Sequence, residues 1–197
     1  MGTGRLESFS DGVLAVAITL LSLDLAVGGP GHGTLAHQLA QRWPSFSSYV
    51  VSFLVIGIIW INHHSLFSNL EAIDRVALFL NLLLLLFVVA IPFATATMAE
   101  YLRVGGSDSH LAAAIYAFVS LALGLAFAMM FLWSARQGQF RAALDPRTRR
   151  KAFVRFSIGN LAYLAAIGLA FVSAWLTLVI VALVAIYYSF EQIAVAV

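Results

Sequence analysis

Cysteine is absent from the 197 residues, which excludes disulfides, thiolate metal sites and cysteine nucleophiles. Charge is scarce too. Lys, Arg, Asp and Glu make up 10% of the chain, where a soluble domain carries about 25%. A chain this poor in charge lacks the polar surface that water requires. Hydrolase signatures are missing: no G-x-S-x-G, no H-E-x-x-H and no glycine-rich phosphate loop occurs. No residue therefore argues for an enzyme. No internal repeat is visible either, so residues 1–197 are read as one domain.

Apolar residues fill the space instead, at 62% of the chain. That composition points to an all-α integral membrane protein. A bilayer core needs roughly 20 apolar residues per helix. Six stretches qualify, near residues 8–26, 47–67, 76–100, 111–135, 152–172 and 175–192. GGPGHG (28–33) ends the first. NLEAID (69–74) parts the second and third. RVGGSDSH (103–110) parts the third and fourth, with Ser107 or Asp108 placed to cap the next helix. LDPRTRRK (144–151) precedes the fifth, with Asp145 as N-cap and Pro146 in the first turn. The last break, around Ser173–Trp175, has no Gly, Pro or charge, so one long helix of about 40 residues competes there with a tight turn. Residues 34–43 admit two readings, an irregular loop or a short interfacial helix with Leu35, Leu39 and Trp43 on one side.

The cations set the orientation. With six spans, nine Lys and Arg fall on the side of the two termini: Arg5, Arg75, Arg136, Arg141, Arg147, Arg149, Arg150, Lys151 and Arg155. Arg42 and Arg103 fall on the other. Both termini are therefore expected in the cytoplasm of a multi-pass cell-membrane protein. This bias also accounts for the net charge of +2 without a nucleic-acid partner. The first apolar segment is read as a retained helix, because only Arg5 precedes it and AVGGPG is a poor cleavage site.

Polar residues inside spans need partners or roles. The first span has Asp11 near one end and Asp24 near the other. The second carries WINHHSLF (60–67), with Trp60, Asn62, His63 and His64, and the third carries Asn81 and Pro92. A metal or haem site at the histidine pair is disfavoured by geometry. Adjacent residues point about 100° apart on a helix, whereas helical ligand pairs are spaced i, i+4. The better reading is a hydrogen-bond network between a histidine and Asp11, Ser10 or Arg5. The spacing Ser120-x-x-x-Gly124-x-x-x-Ala128 in the fourth span reads as close helix packing.

On a helical wheel with Val16 at 0°, Phe9, Leu20, Leu23 and Val27 fall within about 40° of it. Thr19 and Asp24 flank this apolar stripe, while Ser10 and Asp11 lie on the far side. By periodicity alone such a stripe faces lipid, core or a pore.

Arg5-x-x-x-Phe9-Ser10-Asp11, WINHHSLF and FLNLLLLLFVVAIPF (79–93) together resemble the prokaryotic members of the transmembrane protein 175 family of potassium channels. The resemblance runs over essentially the whole chain. It implies a homotetramer with six transmembrane helices per chain, whose first helices line a central pore, with potassium as the permeant ion and no bound cofactor. It places constriction layers on Val16, Leu20 and Leu23, and a threonine linked to potassium preference on Thr19. Val16 is smaller than the branched residue that often begins the family's constriction. Arg5, Phe9, Ser10, Asp11, Trp60, Asn62, His63, His64 and Asn81 match the family's interhelical network. The T-V-G-Y-G loop of ordinary potassium channels is absent, so a carbonyl cage does not apply. A hydrophobic constriction gates by dewetting and selects weakly. Four copies of Asp24 at the outer mouth would concentrate cations. The alternative reading is a proton-coupled cation transporter or proton pathway using Asp11 with His63 and His64.

Overall fold

The structure, a computed structural model, describes residues 3–190, and these are almost entirely helical. α1 (Thr3–Leu20) continues into a tighter 3-10 segment, Leu21–Leu25. Then follow α2 (Leu35–Gln41), α3 (Trp43–Ser68), α4 (Arg75–Val104), α5 (Ser107–Arg136), α6 (Pro146–Ala170) and α7 (Ala174–Phe190). Among the described residues, five segments are long and apolar enough to cross a membrane: Thr3–Leu25, α3, α4, α5 and α6. The described part of α7 has 17 residues, at the short edge of that range. The end of the sixth stretch, residues 191–192, lies outside the described residues.

Local chemistry explains most boundaries. Asp145 caps α6 by accepting from Thr148 N–H at 2.7 Å, with Pro146 in the first turn, as its sequence pattern requires. Asp74 caps α4 in the same way, through Ala77 N–H at 2.8 Å. Thr34 caps α2 through His37 N–H, which makes residues 35–41 a short helix rather than a loop. The start of α5 differs from expectation. Neither Ser107 nor Asp108 is the cap; Gly106 is, with no side-chain cap bond. Gly105 and Gly106 both take positive φ, 76° and 82°, which turns the chain sharply enough for Ser107 to begin the helix itself. The weak break after the fifth span is a turn and not a continuous helix. Val172 and Ser173 both donate to the Leu169 carbonyl at 2.9 Å and close α6.

α5 is the most deeply buried helix and packs on α4, α6 and α7. Its small residues let neighbours approach. A Cβ at Gly124 would meet Asn160 Oδ1 of α6 at 2.5 Å, and on α6 a Cβ at Gly159 would clash with the Tyr188 hydroxyl of α7. Lipid tails are as apolar as leucine, so contact and hydrogen bonding drive this packing more than transfer from water does. At one end, the α3–α4 and α5–α6 loops are tied by an antiparallel bridge between Leu70 and Phe140. Glu71 N–H donates to the Gln139 carbonyl at 2.9 Å, and Arg141 N–H to that of Asn69 at 3.0 Å. At the other end, Trp43 stacks on Trp175 with centroids 4.4 Å apart, joining the starts of α3 and α7. α1 sits outside this body, against α3 and α4.

Candidate functional site: the first helix and its anchor

α1 has two unlike faces. Ser10, Leu14, Ala17 and Leu21 are buried against α3 and α4. Phe9 (52%), Val16 (57%), Leu20 (37%) and Leu23 (69%) are exposed. The apolar stripe of the wheel is thus the uncovered face of the helix. Thr19 is exposed beside it and donates its hydroxyl to the Val16 carbonyl at 2.8 Å; Ser22 donates in turn to Thr19 O at 2.8 Å.

The 3-10 segment alters the register expected of a uniform α-helix. At 3.0 residues per turn, side chains three apart eclipse. Leu23 therefore falls directly over Leu20, and Asp24 turns to about 160° from Val16 rather than the expected 80°. Asp24 is exposed, and its backbone carbonyl accepts from Arg42 at 3.4 Å.

The buried face carries a directional hydrogen-bond chain across three helices. Ser10 Oγ donates to the Leu6 carbonyl at 2.9 Å. Asn81 Nδ2, on α4, donates to Ser10 Oγ at 3.0 Å. That leaves Asn81 Oδ1 to accept from His63 Nε2, on α3, at 2.9 Å, which assigns the Nε2–H tautomer. The His63 ring also stacks on Phe67, with centroids 4.1 Å apart.

Two further contacts flank this chain. Trp60 Nε1 donates to Asp11 Oδ1 at 2.9 Å. His64 Nδ1 lies 2.7 Å from Glu7 Oε1. Glu7 is a partner that sequence reasoning missed, although it sits on the same side of the wheel as Asp11.

The expected network is thus drawn in finer lines. Asp11 meets Trp60 and neither histidine. Asn62 donates back to Ile58 of its own helix at 2.8 Å and joins nothing else. Phe9 is exposed. Arg5 is also exposed and makes no hydrogen bond or ion pair among the described residues. It falls about 20° from Val16 on the wheel, on the stripe and not on the anchored face. Within the single chain, neither Arg5 nor Phe9 makes a side-chain hydrogen bond to α3 or α4 among the described residues.

A second polar cluster lies deeper between α3, α4 and α5. Ser52 Oγ is 2.8 Å from the Tyr116 hydroxyl and 2.7 Å from Thr95 Oγ1, all three buried. Each of these residues is a mild polar group in an apolar run, and only the packing brings them together. Among the described residues no three His, Asp or Glu side chains gather into a metal-binding cluster.

The chain is similar to proteins already characterised. The sequence model of the family "Endosomal/lysosomal potassium channel TMEM175" matches residues 5–92, which hold α1, the anchor and Asn81. A protein of Streptomyces collinus named as a potassium channel is 50% identical over 98% of this chain and 94% of its own length. A crystal structure titled as a lysosomal potassium-selective channel TMEM175 homolog from Chamaesiphon minutus matches at a TM-score of 0.81. It is 35% identical and covers 95% of this chain and 96% of that one. The chicken protein named as the endosomal/lysosomal proton channel TMEM175 is 38% identical over 49% of this chain and 21% of its own length. Near-complete coverage at half identity, a matching fold and the match across the first helix and its anchor agree: the chain belongs to the TMEM175 family.

Proposed function

We propose that this protein is the subunit of a potassium-permeable, weakly selective cation channel, a single-domain homotetramer with six transmembrane helices per chain and cytoplasmic termini. The observation that carries the proposal is the division of α1. Its polar face is bonded to α3 and α4, while Val16, Leu20 and Leu23 stand uncovered with Thr19 beside them. A helix held from one side and bare on the other suits the wall of a central pore. In a tetramer, Val16, Leu20 and Leu23 form three apolar layers that close by dewetting. Thr19 adds a hydroxyl at the same depth, while Asp24, turned to the far side of the 3-10 segment, stands off the pore axis. The names of the relatives, potassium channels in two bacteria, support potassium as the ion.

The transporter reading has less support. Asp11 is bonded to an indole, and His63 leads to an amide that relays no proton, so the three groups do not form one path. Because the animal relatives are named as proton channels, the test includes a proton arm.

Purified protein in potassium-loaded liposomes should release potassium down its own gradient without an imposed pH difference. Its detergent complex should have the protein mass of four 21.3 kDa chains. Potassium release strictly coupled to proton counterflow, or a monomeric complex with full flux, would overturn the proposal.

A further inference from the structure

Arg136, Arg149 and Arg150, all exposed, rim an open groove of about 350 Å³ between the end of α5 and the start of α6, lined also by Phe131, Leu132 and Phe153. That volume is in the range of small-ligand sites, about 300–1,000 Å³. The surrounding segment, 136–151, has six cations and one acid, Asp145. Asp145 is already committed: one carboxylate oxygen accepts from Thr148 N–H at 2.7 Å and the other from the Thr148 hydroxyl at 3.0 Å. Among the described residues, none of the three groove arginines makes a side-chain hydrogen bond or ion pair.

A topology signal alone needs cations near the membrane, but it does not need them around a groove with apolar walls. Three guanidinium forks match the geometry of phosphate oxygens. The N-terminus of α6, already capped by Asp145, lies beside them. Phe153 is exposed, and Val154, Ile158 and Leu161 continue uncovered apolar surface along α6. Phosphate recognition at the end of a membrane-crossing pair, continuous with apolar surface along the span, fits one chemistry. We propose that this groove binds the phosphate headgroup of an anionic phospholipid, whose acyl chains lie along α6. This inference rests on membrane embedding and not on the pore reading.

Native mass spectrometry of the full-length protein tests it, in detergent with equal phosphatidylglycerol and phosphatidylcholine. The wild type should retain phosphatidylglycerol preferentially, and millimolar inorganic phosphate should not displace it. Each arginine near an anionic headgroup changes binding about fivefold, so R136Q/R149Q/R150Q should lower phosphatidylglycerol retention on the order of a hundredfold. The control R141Q/R147Q/K151Q removes the same charge outside the groove and should keep the preference. Equal retention of both lipids by the wild type, displacement by inorganic phosphate, or equal loss in the two triple variants would each overturn the proposal. The two wild-type readings decide it even if a variant fails to fold.

Discussion

Asn81 joins α1 and α3 through opposite ends of one amide, and its two partners are not equally dependent on it. Ser10 keeps its own donor bond to the Leu6 carbonyl if Asn81 is removed. His63 does not: its Nε2–H becomes a buried donor without an acceptor. An orphaned buried group costs about 1–3 kcal/mol, and polar contacts within membranes average lower, about 0.6 with a maximum near 1.7. Asn81→Leu should therefore cost roughly 1.5 kcal/mol, a fall of about 3–6 °C in Tm. Ser10→Ala leaves the buried Asn81 Nδ2–H without its acceptor and should cost a similar amount. Thermal unfolding of both variants in detergent checks this. An unchanged Tm in either would contradict the directional assignment. Sequence alone names all three residues of this chain and offers a histidine Asp11, Ser10 or Arg5 as partner; His63 instead reaches Ser10 through Asn81. Which side chains meet depends on how α1 crosses α3 and α4, and no local pattern encodes that crossing.

Among the helices, ends were more legible than partners. Asp145–Pro146 acts within one turn, so its chemistry reads directly from the neighbouring residues, whereas Asp74, which caps α4 in the same way, was not singled out. The tightening at Leu21 was not legible, since it depends on backbone angles that several residue types tolerate; Gly106 as a cap was hidden because Ser107 and Asp108, better side-chain caps, follow it directly. Asp74 also reaches beyond its own helix, accepting from Trp133 Nε1 of α5 at 3.0 Å. Backbone donation from Ala77 first, then the Trp133 indole, holds its carboxyl below the ordinary range. Thr148, through its backbone and then its hydroxyl, does the same for Asp145. A carboxyl whose folded pKa is depressed contributes stability above its unfolded value, near 4, and loses it as pH falls through the folded value. Stability should therefore decline below about pH 4. Asp74→Asn keeps a competent cap at neutral pH and removes that titration. Its Tm should lie below the wild-type value at pH 7, because Asn lacks the charge that the fold stabilises, and fall less steeply between about pH 4 and 2.5. Parallel acid slopes would show that Asp74 is not a contributor.

In the whole molecule, one end of the body is latched by the loop bridge and the other by the Trp43–Trp175 stack. α1 is held on one side only. If its uncovered face lines a pore, shortening that face should widen it. Leu20→Ala and Leu23→Ala should each raise potassium conductance severalfold and blur discrimination against sodium, read as single-channel current and reversal potential. Unchanged current and unchanged selectivity in both would remove the stripe from the conduction path. The proposed assembly comes only from the resemblance: periodicity located the stripe, and nothing in one chain's sequence says what covers it.

The pitch change at Leu21 also sets distances along α1. From Val16 to Leu20 the α-helix climbs about 6 Å, four residues at 1.5 Å each. From Leu20 to Leu23 the tighter coil climbs about 6 Å as well, three residues at 2.0 Å each. An unbroken α-helix would compress that second interval to about 4.5 Å. The three bare side chains are therefore evenly ruled, like rungs at one interval, and a substitution that relaxes 21–25 into α-helix would disturb that interval without touching any rung.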